Sequence, residues 1–238
     1  LRFYDNRPAR VAESRVLSDG TEIELTTAAY AYEQSPLMER VTKTVTAAGS
    51  GQEQTSVEET YGEAAAYPYA AGQIKFTRDI AGVETFYDYE AAAEHGAAHK
   101  KTAITKVGGE LAAGQSRKTE SFLAANDTVL VEQESIWDGD NWLPLSSGAH
   151  EYDEEGRRTK TTRGNGRVSA TSWMCCGKLS ETDEDGILTS YGYNSAHQLV
   201  ETIRSEISDG DTVVTPETIT TYTRDAAGRV LQLSLIHI

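Results

Sequence analysis

The sequence of 238 residues carries 37 acidic and 22 basic side chains, a formal net charge of −15. A field of this sign repels phosphate backbones and anionic lipids, which excludes nucleic acid as an expected partner. No apolar run approaches the roughly 18 residues that a membrane-spanning segment needs, and no basic-then-apolar secretion signal is visible. Hydrophobic residues form 38% of the chain, with 12 Tyr against 4 Phe, which favours a thin, hydrated sheet over a thick core.

The first 149 residues are expected to form irregular β-hairpins. Alternating or β-branched runs predict strands, and Ile136–Trp142 has a tryptophan on each side of a tight turn, which is typical of a hairpin. Its turn, Asp138–Asn141, resembles the beginning of a calcium loop, but the later ligand positions do not fit, so no cation is predicted there. The strand runs are Glu22–Thr27, Val41–Thr46, Thr102–Val107 and Thr128–Trp137, with an exposed turn at Ala47–Gln52.

One segment, Glu90–Lys101, has helical character, because it is rich in Ala with acids first and bases last. Gly96 weakens it, so at most a one- or two-turn insertion between strands is expected. Within it, His95 and His99 would share a helical face and could hold a metal. Since the Glu of a zinc-protease motif is absent, solvated histidines are the favoured interpretation.

An Asp-x-x-Gly register recurs along the chain, followed twice by the strand pattern G-x-x-T-x-Y-x-Y, at Gly82–Tyr89 and Gly186–Tyr193. Asp accepts hydrogen bonds from turn amides and Gly takes a positive φ, so each copy predicts a turn. Beyond residue 150 the turns recur at close to multiples of ten residues, the length of a strand plus a turn. The copies begin at Asp79, Asp153, Asp183 and Asp225, and the later turn positions are Gly156, Gly166, Gly186, His197 and Gly228.

The two cysteines of the chain, Cys175 and Cys176, are adjacent in the segment Trp173–Gly177. They could form a vicinal disulfide or share a soft metal, but two ligands do not complete a site. Partly buried packing at a strand end is the favoured interpretation, and pairing with a thiol from outside the chain stays open. The segment Asp183–Gly186 is explained as a turn rather than as calcium ligands. No catalytic, cofactor-binding or metal-ligating residue is predicted.

Two segments, Tyr152–Arg157 and Asp225–Val230, resemble the Y-D-x-x-G-R core of YD repeats, which occur in Rhs-like proteins; Tyr193–His197 resembles a degraded copy. The resemblance implies an all-β fold in which tandem antiparallel β-hairpins form a curved or spiralling repeat sheet. The chain then divides into degenerate repeats in residues 1–149, YD-type repeats in 150–232 and a non-native tail in 233–238, for which a short apolar strand is the alternative.

The same resemblance implies a non-catalytic structural or interaction segment of a secreted or cell-surface bacterial protein. Its expected partners are carbohydrate or protein at a cell surface and the adjoining repeats of a longer chain, because the sequence opens inside a repeat-like segment, Phe3–Asn6. One alternative is the encapsulating shell of an Rhs-type polymorphic toxin, which needs a closing core and a toxin domain downstream. Another is a carbohydrate-active β-repeat enzyme, which needs carboxylates that converge in a groove.

Overall fold

The computed structural model describes residues 7, 9–18, 21–47, 50–209 and 212–237, and this part of the chain is all-β. It contains nineteen strands and two short 3₁₀ turns. Seventeen of these strands join one sheet, and the other two form a small separate hairpin. The paired strands are antiparallel, and most neighbours in the sheet are also neighbours in sequence. The expected fold class, tandem antiparallel β-hairpins, is confirmed.

The chain forms two compact units. Unit 1 contains the chain up to Asp127 together with Glu132–Leu145, and unit 2 contains Thr128–Val131 and the chain from Ser146 onward. The hairpin formed by Val129–Trp137 and Trp142–Tyr152 contributes residues to both units. The division at residues 149 and 150 that the sequence suggested stays a prediction.

Unit 1 is a meander in which each strand pairs with the next. All four strand runs expected in this region lie in observed strands, and a turn joins Ala47 to Gln52, although Ala48 and Gly49 lie outside the described residues, as does Phe3–Asn6. The strands are β1 (Arg10–Val16), β2 (Glu22–Gln34), β3 (Met38–Ala47), β4 (Glu53–Tyr61), β5 (Ile74–Arg78), β6 (Val83–Ala91), β7 (His99–Val107), β8 (Arg117–Leu123) and β9 (Val129–Trp137).

The short insertion expected between strands within Glu90–Lys101 is confirmed at its smallest extent, a single turn. Strand β6 continues to Ala91 and β7 begins at His99, which leaves a single 3₁₀ turn, Glu94–Gly96, between them. His95 takes a left-handed φ of 57° inside this turn. The extended pairing of β6 with β7 from Val83 to Ala91 overrides the helical propensity of the Ala-rich run.

Unit 2 is a second meander with short, regular strands. Five of its tight connections carry a turn at an expected position, at Gly156, Gly166, Gly186, His197 and Gly228, whereas Cys175 and Cys176 form a tight connection for which no turn was expected. A small hairpin of Ile207–Asp209 and Thr212–Thr215 is inserted before Thr218–Arg224. The strands of this meander are β10 (Trp142–Tyr152), β11 (Arg158–Arg163), β12 (Val168–Met174), β13 (Gly177–Thr182), β14 (Leu188–Tyr193), β15 (Leu199–Arg204), β16 (Ile207–Asp209), β17 (Thr212–Thr215), β18 (Thr218–Arg224) and β19 (Val230–His237).

The segment 233–238 is strand rather than an unstructured tail, as far as it is described. Residues Leu233–His237 continue β19 and pair with Thr218–Tyr222 of β18. Ile238 lies outside the described residues. Whether this segment is native stays a prediction.

Buried side chains are few and concentrated in unit 1. Among the described residues, the buried hydrophobic side chains are Ala70, Tyr89, Ala97, Phe122 and Leu123, all of them in unit 1. In unit 2 the buried polar side chain is that of Thr161. The sheet is thin, as the composition indicated, and unit 2 has no described hydrophobic side chain that is fully withdrawn from water.

Candidate functional site

The repeat turns share one geometry. In each, the side-chain oxygen Oδ1 of the first residue accepts hydrogen bonds from the backbone amides two and four positions later, at 2.8–3.1 Å. The fourth residue takes a left-handed φ between 59° and 84° and donates its amide to the carbonyl of the first. These turns begin at Asp79, Asp153, Asp183, Asn194 and Asp225. The expected Asp-x-x-Gly turns are confirmed, and so is the degraded copy that begins at Asn194.

The residue before the turn ties its strand to the preceding one. The Tyr152 hydroxyl donates to the Val129 carbonyl at 2.7 Å, and the Tyr193 hydroxyl donates to the Lys178 carbonyl at 2.9 Å. Before Asp225 the sequence has Arg224, and its Nε donates to the Leu199 carbonyl at 2.7 Å. Arginine therefore takes the role of tyrosine in this copy, so three of the five turns are preceded by such an anchor.

The arginine that ends the Y-D-x-x-G-R core closes the turn from the other side. The Nε atoms of Arg157 and Arg229 donate to Oδ2 of Asp153 and Asp225 respectively, both at 2.7 Å. Arg157 also donates to the Met174 carbonyl at 3.0 Å, which links its turn to the end of β12. Each position of the Y-D-x-x-G-R pattern in Tyr152–Arg157 thus has a structural role: Tyr152 is the anchor, Asp153 the turn acceptor, Gly156 the left-handed residue and Arg157 the clamp.

The clamp affects the ionisation of the turn carboxylates. Hydrogen bonds from the Arg229 backbone amide, and then from its side chain, lower the pKa of Asp225. At Asp153, burial alone would raise the pKa, but the amide and guanidinium of Arg157 outweigh it and the pKa is lowered. Both turns therefore favour the charged carboxylate.

Unit 1 contains a cluster of aromatic rings around the 3₁₀ turn Pro68–Ala70. Tyr69 stacks on His99 with centroids 3.7 Å apart, and the Tyr67 hydroxyl lies 2.6 Å from Nδ1 of His99. Tyr89 makes edge contacts with Tyr61 and Tyr69 at 6.0 Å. Burial raises the pKa of Tyr89 to about 12, with further contributions from Tyr87 and Tyr61. The cluster packs unit 1, and the Tyr89 hydroxyl stays protonated at neutral pH.

His95 and His99 do not share a face, because the segment between them is not a helix. His99 is held by the tyrosines, whereas the His95 ring packs edge-on against Phe122 with centroids 4.7 Å apart. The expectation of solvated histidines is wrong for His99, which is half-buried and hydrogen-bonded. No sequence signal indicated this contact, because Tyr67 and Tyr69 lie some thirty residues upstream.

A recess of about 1010 Å³ opens beside this cluster in unit 1, bordered by Tyr32 and Tyr61. Two of its carboxylates are ion-paired: Glu39 with Arg7, and Glu33 with Arg40 at 3.4 Å. The recess thus combines aromatic rings with two ion-paired glutamates, and a third glutamate, Glu63, also lines it. These features suit polar, uncharged ligands, because rings stack on apolar faces and paired groups offer further hydrogen bonds.

The turn Asp138–Asn141 uses its carboxylate internally. Oδ1 of Asp138 accepts the amides of Asp140 and Asn141 at 2.8 and 2.7 Å, and these bonds lower the pKa of Asp138. The tryptophans on its two arms, Trp137 and Trp142, contact each other with centroids 5.3 Å apart. The tight hairpin is confirmed.

Cys175 and Cys176 form the two-residue turn between β12 and β13, and both are exposed thiols. The expectation that they pack partly buried at a strand end is wrong, because the hairpin turns directly through them. His197, the left-handed residue of the Asn194 turn, lies beside them: the two sulfurs and an imidazole nitrogen are all within 4.8 Å of one another. The sequence could not nominate this group, since His197 is 21 residues from Cys176.

Taken together, the strand order and the five turns define a fold of tandem antiparallel β-hairpins in which one turn geometry recurs. No helix in the described residues is long and apolar enough to cross a membrane. No protein-family model matches the chain, and no curated protein matches it in sequence.

Solved structures similar to the chain include three crystal structures of TcdB2–TccC3. One, without the hypervariable C-terminal region, aligns with 92% of this chain at 14% identity and a TM-score of 0.47. A structure described as TcdB2–TccC3–TEV aligns with 90% at 10% identity and a TM-score of 0.33, and a TcdB2–TccC3 structure with 96% at 11% identity and a TM-score of 0.28. The chain spans 13%, 15% and 18% of those chains respectively. The fold assignment rests on the turns and strand order described above.

Proposed function

We propose that this chain is a non-catalytic wall segment of a longer, secreted or cell-surface YD-repeat protein. The observation that carries the proposal is the anchor before three of the five turns, in which Tyr152, Tyr193 or Arg224 donates to a carbonyl of the preceding strand. Such contacts join one repeat to the next. These anchor hydrogen bonds extend the sheet from one repeat to the next, since a repeat of this kind contacts mainly its neighbours.

The low burial of unit 2 supports the same role. A meander without a described buried hydrophobic side chain gains its stability from strand pairing, turn hydrogen bonds and flanking repeats. The clamps add to this, since the guanidinium groups of Arg157 and Arg229 satisfy turn carboxylates instead of facing a substrate.

The first experiment is recovery of the parent gene by sequencing outward from both ends of this reading frame in the source DNA. Expression of the chain with two further repeats on each side should raise the unfolding temperature of unit 2, monitored by Trp173 fluorescence. A chain extended by unrelated Gly/Ser-rich sequence of equal length is the control. If native repeats stabilise unit 2 no more than this control, the chain is an independent module and the wall proposal is wrong.

The recovered parent also separates the two kinds of wall. A closing core followed by a variable C-terminal domain, with that domain resistant to protease until the wall is denatured, would identify a toxin shell. A parent that carries neither would identify an adhesin or spacer. The wall role of this segment is the same in both cases.

A surface role in recognition is favoured by the recess of unit 1. Its aromatic border of Tyr32 and Tyr61 and its ion-paired glutamates fit a neutral carbohydrate better than a charged ligand. Binding to an array of neutral and acidic glycans tests this, with Tyr32→Ala as the disabling variant. Tyr30→Ala, on the same strand but not bordering the recess, is the matched control.

A further inference from the structure

We propose that Cys175, Cys176 and His197 bind a thiophilic d¹⁰ cation, Zn²⁺, at the side of unit 2. Two sulfur ligands and one imidazole nitrogen form a donor set that suits zinc, which is bound by thiolate and imidazole in protein sites. Two thiolates also neutralise the charge of a divalent cation. With three protein ligands the fourth position is left for water or an exogenous ligand.

The geometry is close to that of a tetrahedral site. The three ligand atoms lie within 4.8 Å of one another. On a tetrahedral ion with bonds of about 2.3 Å, two sulfurs are separated by about 3.8 Å. Cys175, Cys176 and His197 are exposed. Rotation of their side chains can bring the ligand atoms from within 4.8 Å of one another to the spacing of a tetrahedral site. The backbone therefore does not have to move for the metal to bind.

The two turns that carry the ligands are fixed to each other. Tyr193 directly precedes the turn that contains His197, and Gly177 directly follows Cys176. The Tyr193 ring packs on Gly177 so closely that a Cβ there would lie 2.5 Å from the tyrosine oxygen. The Tyr193 hydroxyl then donates to the Lys178 carbonyl at 2.9 Å. Because one tyrosine clamps both turns, the histidine and the thiols are positioned before any ion binds, which reduces the entropic cost of binding.

The residue at the left-handed position of the turn also points to a ligand. In the four Asp turns this residue is glycine, with φ of 77–84°, but in the Asn194 turn it is His197 with φ 59°. A non-glycine residue is unfavourable in this conformation. A histidine here costs local stability relative to glycine and places an imidazole beside two thiols.

The thiols interact with each other in the metal-free protein. A bound cation replaces the thiol protons of Cys175 and Cys176, because the thiolate is the form that ligates a metal. The binding step releases these protons to water and involves no change in oxidation state.

The test uses the full chain, reduced with a phosphine under anaerobic conditions and stripped with a chelator. Cobalt is added first, because thiolate ligation gives a sulfur-to-metal charge-transfer band, and Zn²⁺ is then titrated against it. We expect one Zn²⁺ per chain, displacement of the cobalt band, and a rise in unfolding temperature with zinc concentration. Removing a residue that only hydrogen-bonds to a metal ligand weakens metal affinity about 10–100-fold. Cys176→Ser removes a ligand itself, so it should weaken zinc affinity at least as much.

The decisive variant is His197→Gly, which restores the turn residue of the other copies. It should leave the metal-free protein at least as stable as the parent chain, while zinc affinity falls at least about tenfold. His95→Gly is the matched control, because it also replaces a left-handed histidine, with φ 57°, far from the cysteines in sequence. It should bind zinc with the affinity of the parent chain.

Three results would overturn the proposal. The first is zinc affinity in His197→Gly equal to that of the parent chain, since the imidazole would then not be a ligand. The second is absence of the cobalt charge-transfer band. The third is one zinc per two chains with concentration-dependent dimerisation, since exposed thiols of two copies would then share the ion.

Discussion

The two units of the chain build the same kind of sheet by different means. Unit 1 surrounds a small core, in which Phe122 and Leu123 are 4% and 7% exposed and tyrosines stack around His99. In unit 2 the described hydrophobic side chains all stay at least partly exposed, and its regular feature is the repeated turn with its anchor and clamp. In unit 1, long loops supply aromatic rings and a core forms. In unit 2, where the turns are short and regular, polar contacts of the backbone stabilise the fold.

The largest expected difference concerns leucine truncation. Leu123→Ala in unit 1 should destabilise the protein by about 2–5 kcal/mol, because it leaves a cavity in a packed site. Leu179→Ala in unit 2 removes the same atoms from a side chain that is 51% exposed, so its cost should be under about 1.5 kcal/mol. Urea unfolding followed by tryptophan fluorescence measures both. Equal costs would show that unit 2 buries more than its structure suggests.

The glycine turns should behave alike in both units. A Cβ at Gly82 of unit 1 or Gly156 of unit 2 meets no atom within 4 Å, so the penalty of Gly→Val comes from φ alone, at +82° and +77°. We expect about 1–2 kcal/mol at each site. Gly→Asn is the matched control and should cost less, because Asn tolerates the left-handed region. A penalty confined to one unit would mean that the two turns are not equivalent.

The anchors should matter in unit 2, which lacks a comparable core among its described residues. Tyr152→Phe removes the hydroxyl that donates to Val129, and it should cost about 0.5–1.5 kcal/mol. Tyr30→Phe is the control, because it removes a tyrosine hydroxyl that has no anchor role. The Tyr30 ring is stacked on Tyr32 in unit 1. Thermal unfolding compares the two variants. Equal effects would contradict the anchor assignment on which the wall proposal rests.

Sequence periodicity predicted the strands and turns because both depend on local chemistry. Each turn and its strand depend on residues within ten positions of one another: an Asp that accepts hydrogen bonds, a Gly with a positive φ, and alternating Thr and Tyr. The turns at Asp153 and Asp225 could therefore be assigned from the sequence alone. The contacts that the sequence did not reveal are those between repeats. His197 meets Cys175 across a hairpin, and Tyr69 meets His99 through a loop. Such pairs depend on strand register, which the sequence does not show. In the Ala-rich run Glu90–Lys101, pairing between strands outweighs helical propensity, so composition overstates the helical character of this run.

The smallest expected effect is the pH dependence of the clamped turns. The pKa of Asp225 is lowered in the folded chain, so its contribution to stability is present above the unfolded value of about 3.9 and is lost as the pH falls through the folded pKa. Asp225→Asn keeps the acceptor oxygen, as Asn194 does in its own turn, but cannot titrate. The fall in urea midpoint from neutral to acidic pH should therefore be smaller in Asp225→Asn than in the parent chain. Arg229→Gln, which removes the guanidinium but keeps the backbone amide that lowers the pKa of Asp225 most, should reduce the fall by a smaller amount. If neither variant changes the acid sensitivity, the clamp stabilises the turn by packing rather than by charge, and other carboxylates dominate the acid response.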